Sequence, residues 1–390
     1  MRSTRALIYK NNLMHNLKTV GSFLRPKTKL CLAVKANGYG AGAITAANAA
    51  HACGAACVAV ATVDEGIELR ENRISCPILL LSLCSEDEVQ LAVQHELSPL
   101  VCDNDYIAQF EKSAARAEKK IAVHLAIDTG MGRLGCAQDA AAALAQKIAA
   151  APHLALAGTC THFASSDEAT ADARVYTERQ FADFVRAVQS MKEAGVNPGV
   201  CHCAASAATF TQPDMQLDMV RVGIAAYGYY GGEATLAAVA ASGQALKPVM
   251  ALQTQVSMIR RIHAGQYVSY GRTWKASHDT DIAVLPIGYA DGLFRCLSSG
   301  CAHEDAQDKN ERLHVAINGK QFPVVGRICM DQCMVELGSN SGVHRWDKAM
   351  IFGPYESGAL QDAAAIAKMA GTIPYEILTS VSERVPRVVV

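Results

Sequence analysis

A lysine at the end of a buried strand can do what no other cation does: its amine, once neutral, condenses with a carbonyl to form a Schiff base. Lys35 closes the aliphatic run Leu30-Cys31-Leu32-Ala33-Val34 and is followed at once by Ala36-Asn37-Gly38-Tyr39-Gly40-Ala41-Gly42. Strand, amine and glycine-punctuated turn, in that order, set the amine at a strand's carboxyl end, where α/β proteins bind ligands. Asp128-Thr129-Gly130-Met131-Gly132-Arg133-Leu134-Gly135 follows another apolar run; its glycines let backbone approach a ligand, and Arg133 offers an anion clamp. Thr161-His162-Phe163-Ala164, His202 with Ser206, and Arg221-Val222-Gly223-Ile224 follow three more. Taken singly, each has a plain alternative, a solvated lysine or a hydrogen-bonded core histidine. Together, successive strand ends carrying polar groups describe one ligand-facing rim.

The elements that must position these groups alternate. Apolar runs at 30–34, 57–61, 77–81, 98–101, 121–127, 153–161, 199–203 and 218–222 are separated by helix-compatible stretches, among them 42–52, 64–72, 86–95, 105–118, 138–150 and 171–194. About eight alternations with uniformly apolar strands point to a parallel (β/α)8 barrel of the TIM type, an open doubly wound sheet being the structural alternative. Residues 4–9 read as a short strand and 11–23 as a helix. Residues 234–246, rich in small side chains and without a strong period, mark a boundary. Beyond it the runs at 249–262, 282–286, 313–317, 322–325 and 333–337 are strand-like, with Asn318-Gly319 a hairpin signal. Residues 359–370 read as helix, 384–390 as strand, and the polar stretch 298–311 as a mobile surface loop or insertion. The expected organisation is a barrel over residues 10–240 and a mostly β domain over 241–390, joined by strand 1–9.

The chain has 390 residues, half of them hydrophobic, a net charge of −1 and a pI near 6.8. Near-neutrality without blocks of like charge argues against nucleic acid or a membrane surface as partner. Residues 1–10 lack the basic-then-apolar order of a secretory leader and no run approaches a membrane span, so a cytoplasmic protein is expected. Fourteen scattered cysteines then read as reduced, buried thiols. Cys201-His202-Cys203 could contribute to a zinc site, but tetrahedral sites want ligands on both arms of a turn, and no metal is expected.

In order, the Lys35 stretch, the 128–135 run, Thr161-His162-Phe163-Ala164, Arg221-Val222-Gly223-Ile224-Ala225-Ala226-Tyr227-Gly228, Val268-Ser269-Tyr270-Gly271-Arg272-Thr273-Trp274, Ile287-Gly288-Tyr289-Ala290-Asp291-Gly292, Gly326-Arg327-Ile328-Cys329-Met330-Asp331-Gln332 and Ser382-Glu383-Arg384-Val385-Pro386-Arg387 resemble the alanine racemase family and cover nearly the whole chain. The resemblance implies a pyridoxal 5'-phosphate enzyme acting on alanine: a barrel, a β-rich carboxyl domain, and a homodimer whose sites are shared between subunits. It implies that Lys35 holds the cofactor and is one base, and that Tyr270, delivered from the partner, is the second. Tyr39, Ser206, Gly223, Ile224 and Tyr375 would hold the phosphate, His162 would lie against the pyridine ring, and Arg221 would face its nitrogen. Arg133 would reach the substrate carboxylate and the cofactor's phenolic oxygen, with Tyr289, Met330 and Asp331 lining the partner's site.

Two bases suit racemisation, because a proton must leave one face of Cα and arrive on the other. A lysine acts as a base only when neutral, and tyrosine, with an ordinary pKa of about 10, needs positive charge nearby. The chain departs from the family pattern twice. Ala126 stands where many relatives carry a lysine, often carbamylated, whose negative group orients the arginine; chloride or a neighbouring side chain would have to substitute for it at Arg133. Ala205 stands where relatives commonly have a polar amide. A racemase of another small amino acid, such as serine, shares this chemistry, since pocket size selects the side chain. A barrel-type decarboxylase pairs the pyridine nitrogen with a carboxylate, against Arg221 here. A non-catalytic cofactor-binding barrel would leave the β-rich half and Tyr270 without a role.

Overall fold

The structure, a computed structural model, describes residues 2–298 and 312–390. Two compact units emerge: Met14–Gly38 with Ala43–Leu246, and Met1–Leu13 with Tyr39–Gly42 and Lys247–Val390.

The first unit is the barrel. Its strands are β2 (Lys29–Ala33), β3 (Cys57–Val60), β4 (Ile78–Leu80), β5 (Ser98–Val101), β6 (Ile121–Ala126), β7 (Leu154–Cys160), β8 (Val200–His202) and β9 (Met219–Val222), counting Arg5–Ile8 of the other unit as β1. Neighbours pair in parallel in chain order, and β9 returns to β2 with Lys29 opposite Met219 and Leu32 opposite Val222. Between β8 and β9 there is no ladder. The Asp218 amide instead donates to the Cys201 carbonyl (3.1 Å) and the Arg221 amide to that of Ala204 (2.9 Å), so the barrel is nearly closed. Cys31, Cys57, Ala59, Leu79, Leu100, Ala126, Cys160 and Met219, with Val200 against them, form its inner cluster. Several of these side chains are small, which leaves room inside a ring of eight strands.

Outer helices show the sequence logic locally. In Val63–Glu71 the Thr62 hydroxyl accepts from the Glu65 amide, and the Glu65 carboxylate reaches back to the N-cap, a capping box. Asn104–Arg116 buries Tyr106, Ile107, Phe110 and Ala114, one stripe at helical spacing, behind an Asp103 cap. The stretch at 234–246 holds a helix, Glu233–Ala241; being apolar all round, it offered no period to detect.

The second unit is built on a nine-stranded sheet. After β1 come β10 (Met250–Gln255), β11 (Met258–Ile262), β12 (Tyr267–Val268), β13 (Trp274–Lys275), β14 (Thr280–Leu285), β15 (His314–Ile317), β16 (Lys320–Val325), β17 (Cys333–Gly338), β18 (Lys348–Phe352) and β19 (Arg387–Val389). The order is β11-β14-β17-β16-β15-β18-β10-β1-β19; β12 and β13 form a separate hairpin. Among the described residues of this sheet, only the pairing of β1 with β19 is parallel. Asn318 and Gly319, both at positive φ, make the two-residue turn that sets Ile317 opposite Lys320. The run expected as one strand over 249–262 is two, broken at Val256-Ser257. β18 went unread in the sequence, as did the helix Pro374–Ser380. Of the expected loop at 298–311, residues 299–311 lie outside the described residues.

Candidate active site

Lys35 stands just beyond β2, half-buried, on a backbone that turns left-handed immediately afterwards. Ala36, Asn37 and Gly38 have φ of 51°, 51° and 60°. For the two non-glycine residues this costs about 1–2 kcal/mol each, so something must hold the turn. Glu65 does: one carboxylate oxygen accepts from the Ala36 amide (2.6 Å), the other from the Ala61 amide (2.8 Å). Asn37 Oδ1 accepts from the Ala43 amide (2.9 Å) and closes the far side. The carboxylate of an ordinary helix cap thereby clasps the loops after β2 and β3.

Lys35 lines a barrel cavity of about 320 Å³ together with Arg133, His162, Arg221, Asp128 and Ala126. Burial lowers the Lys35 pKa and the Arg133 charge lowers it further, against a smaller upward pull from Glu65. The amine is thus shifted toward the neutral form that a nucleophile or base requires.

Arg221, only 8 % exposed, is held by acceptors on all sides. Nη1 donates to His202 Nδ1 (2.5 Å) and to the His202 carbonyl (3.0 Å). Nη2 donates to the Thr161 carbonyl (2.8 Å), the Cys203 carbonyl (3.3 Å) and His162 Nδ1 (3.2 Å). None of these partners is a carboxylate, so a fixed, un-neutralised cation faces the cavity. His162 is correspondingly pushed down to about 3, by burial first and then by Arg221, Arg133 and Lys35, and its ring is neutral.

Arg133 rides on a loop organised by its own first residue. Asp128 Oδ1 accepts from the amides of Gly130 (2.8 Å) and Met131 (2.9 Å), and Oδ2 from that of Gly132 (3.0 Å). Tyr176 donates its hydroxyl to the Gly130 carbonyl (2.7 Å). The loop is closed by the amides of Asp128 and Cys136, which donate to the carbonyls of Cys136 and Ala126 (both 2.9 Å). Ala126 itself offers no anion and packs in the apolar inner cluster, so backbone architecture, not a side chain at 126, carries Arg133 to the cavity rim.

Ser206 opens the helix Ser206–Thr211, and its hydroxyl accepts from the amides of Gly223 (3.0 Å) and Ala225 (3.4 Å). Ile224 begins a 3-10 turn, so its N–H has no acceptor within that turn. Ser206, Gly223 and Ile224 thus meet in one small group, in which the Ser206 hydroxyl proton and the Ile224 N–H are donors suited to an anion while the Gly223 amide holds the serine oxygen. Ala205 caps the Ser206 helix without a side-chain hydrogen bond.

The remaining expected residues belong to the β-rich unit. Tyr39 and Tyr375 pack with ring centroids 5.9 Å apart. Tyr270 is 71 % exposed, on a turn between β12 and β13 with Ser269, Gly271 and Arg272 all at positive φ. Ser269 donates its hydroxyl to the Arg327 carbonyl (2.6 Å), and a Cβ at Gly271 would come 2.8 Å from Arg327 Nη1, so Arg327 braces the turn. The next segment carries Met330 and Asp331; Tyr289 donates its amide to the Cys329 carbonyl and Ala290 to that of Met330 (both 3.0 Å). Asp331 pairs with Arg384 (2.5 Å), which also pairs with the fully buried Asp291 (2.6 Å), as does Arg2 (2.5 Å). Tyr270, Tyr289, Met330 and Asp331 therefore form a second, largely exposed constellation.

Glu65 and His124, the latter on β6 against His202, escaped the sequence reading. A Thr-x-x-Glu pattern at 62–65 was the available signal for the first. Cys201, His202 and Cys203 do not form a metal centre: His202 is engaged by Arg221 and His124, and Cys203 donates to the Met215 carbonyl (3.0 Å). Among the described residues no group of three or more His, Cys, Asp or Glu is placed to hold a metal, and no helix is long and apolar enough to cross a membrane.

Comparison with known proteins agrees with this geometry. The family described as alanine racemase, N-terminal domain, matches residues 8–231, and alanine racemase, C-terminal domain, matches residues 249–389. The alanine racemase of Treponema denticola is 42 % identical over 390 residues, covering all of this chain and 98 % of that protein. That of Treponema pallidum is 43 % identical over 392 residues, covering all of this chain and 99 % of its own. The crystal structure of the Bacillus anthracis alanine racemase with bound L-Ala-P superposes with a TM-score of 0.89 at 30 % identity, over all of this chain and 95 % of that one.

Proposed function

Because this chain belongs to the alanine racemase family, we propose that it interconverts L-alanine and D-alanine with pyridoxal 5'-phosphate, using Lys35 and Tyr270 as opposed bases in a cytoplasmic homodimer. The single observation that carries the reading is the meeting of Lys35, His162 and Arg221 at one barrel cavity, with the amine pushed toward neutrality and the arginine left without a carboxylate. Residues 10–240 are read as the cofactor-binding domain and 241–390, with 1–9, as the β-rich partner domain. The D-alanine formed would feed cell-wall peptide.

The residues fit the cofactor. Three cations, Lys35, Arg133 and Arg221, line the cavity, while its one carboxylate, Asp128, is engaged by backbone amides; an anionic ligand matches that balance. Pyridoxal phosphate, when bound, supplies an electron-accepting ring that acidifies the Cα proton of the amino acid joined to it. Lys35 would hold it, with Ser206, Gly223, Ile224, Tyr39 and Tyr375 taking the phosphate and His162 lying against the ring. Arg221 would face the ring nitrogen, and a guanidinium there in place of a carboxylic acid would temper the ring's electron demand and favour racemisation over side reactions. Arg133 takes the substrate carboxylate.

Proton movement then falls to two atoms. Lys35 Nζ, its pKa lowered by burial, takes or returns the Cα proton on one face. Tyr270 Oη does so on the other, entering from the partner subunit with Tyr289, Met330 and Asp331 beside it. An exposed tyrosine on a braced turn suits that role, because the group must reach beyond its own chain yet arrive in one orientation. Incubating the cofactor-loaded protein with L-alanine should yield D-alanine until the enantiomers are equal. No D-alanine would refute the reading, and faster D-serine formation from L-serine would move it to the broader racemase.

A further inference from the structure

Arg221 can only donate hydrogen bonds, so the His202 Nδ1 that lies 2.5 Å from its Nη1 must be bare. A neutral His202 then carries its proton on Nε2, and that atom lies 2.9 Å from His124 Nδ1. His202 is fully buried, and burial followed by the Arg221 and His124 charges drives its pKa far down; His124 is pushed down to about 4 by burial and then by Arg221. Both rings are therefore neutral, and each can have only one protonated nitrogen. A second observation bears on the same contact. Gly158, opposite His124 on β7, would place a Cβ 2.5 Å from His124 Nδ1. Its φ is not left-handed, so what demands glycine there is close approach, by the imidazole on one strand and by the Val200 carbonyl, 2.6 Å from the same Cβ, on the other.

We infer that His124, seated in the space left by Gly158, is a positioning residue for Arg221: by accepting the Nε2–H of His202 it obliges His202 to turn a lone pair toward the guanidinium. Without that acceptor His202 gains by moving its proton or its ring. An Nδ1–H would then face Arg221 and displace it from His162 and the cavity. This rests on the reading of Arg221 as the residue at the ring nitrogen, but the tautomers themselves do not.

The test uses the cofactor-loaded full chain labelled with 15N in its histidine rings. The result expected is neutral His124 and His202 above about pH 6, each protonated on Nε2. His124→Leu should change the His202 tautomer and lower kcat about tenfold with KM for alanine within about twofold, whereas His124→Asn, whose Oδ1 can stand in for Nδ1, should keep the tautomer and stay within about threefold of the parent. His202 protonated on Nδ1 in the parent would overturn the inference, as would equal losses in the Leu and Asn variants. Should His124→Leu fail to fold, the parent tautomers and the Asn variant still decide. A parent that makes no D-alanine would sink the functional reading while leaving the tautomer result to judge this one.

Discussion

The barrel cavity and the Tyr270 turn solve opposite problems. At the cavity, Arg221 is fixed from behind by buried acceptors, and the Lys35 amine is tuned by desolvation. At the turn, Tyr270 projects into solvent, and what is controlled is direction: a run of positive φ, a Ser269 hydroxyl on the Arg327 carbonyl, and a guanidinium against Gly271. One region tunes a group, while the other aims one. An aimed but exposed tyrosine is the arrangement expected of the shared-site dimer proposed above.

The difference sets an order of expected effects. Lys35→Ala should remove both cofactor attachment and one base, costing at least about 10³-fold in kcat and abolishing the absorbance band of the covalently held cofactor. Retention of either would place the tuned group elsewhere. Tyr270→Phe leaves the cavity intact and should cost about 10²–10⁴-fold, while slowing proton removal from one enantiomer more than from the other. Equal slowing in both directions, read from solvent deuterium incorporation into L- and D-alanine, would show that the turn does not aim a base.

Supporting groups should matter less. Glu65→Ala removes the clasp on the Ala36 and Ala61 amides, and should lower kcat about tenfold while speeding amide exchange at Ala36. Unchanged exchange would mean the left-handed turn holds itself. In the β-rich unit, burial raises the Asp291 pKa, but hydrogen bonds from Arg2, Arg384 and the Gly288 amide outweigh it, so the carboxyl is held below its usual range. A depressed pKa contributes stability above the ordinary carboxylate pKa of about 4 and loses it as pH falls through the lower folded value. Asp291→Asn should therefore destabilise by about 2 kcal/mol at neutral pH, reduced because both arginines are partly exposed, and by progressively less below about pH 4 in denaturant titrations. A difference that did not shrink with acid would assign the loss to packing.

Much of the first region was legible in the sequence because barrel strands announce themselves twice, as apolar runs and as polar strand ends. Lys35, His162 and Arg221 lie far apart in the chain, yet each ends a strand, and a parallel barrel collects such ends on one rim. What was hidden was the support. Glu65 looked like any acid in a helix's first turn, and His124 like a polar interruption of a strand, since their partners lie in other loops and strands. The β-rich unit was less legible. β18 is short and buried along nearly its whole length, without the alternation that marks a half-exposed strand, and the helix Pro374–Ser380 is barely two turns. The motifs around Tyr270, Tyr289 and Met330 were readable by resemblance, but their meeting on adjacent loops was not.

The most direct measurement asks whether the tuned and the aimed base come from different chains. Lys35→Ala and Tyr270→Phe subunits, each inactive alone, would be mixed under conditions that exchange subunits. If Tyr270 serves the partner's Lys35, each mixed dimer regains one complete site, and random pairing should restore about a quarter of the parental racemisation rate. If both bases of a site come from one chain, every site in every dimer lacks a base, and the mixture will be no more active than its components.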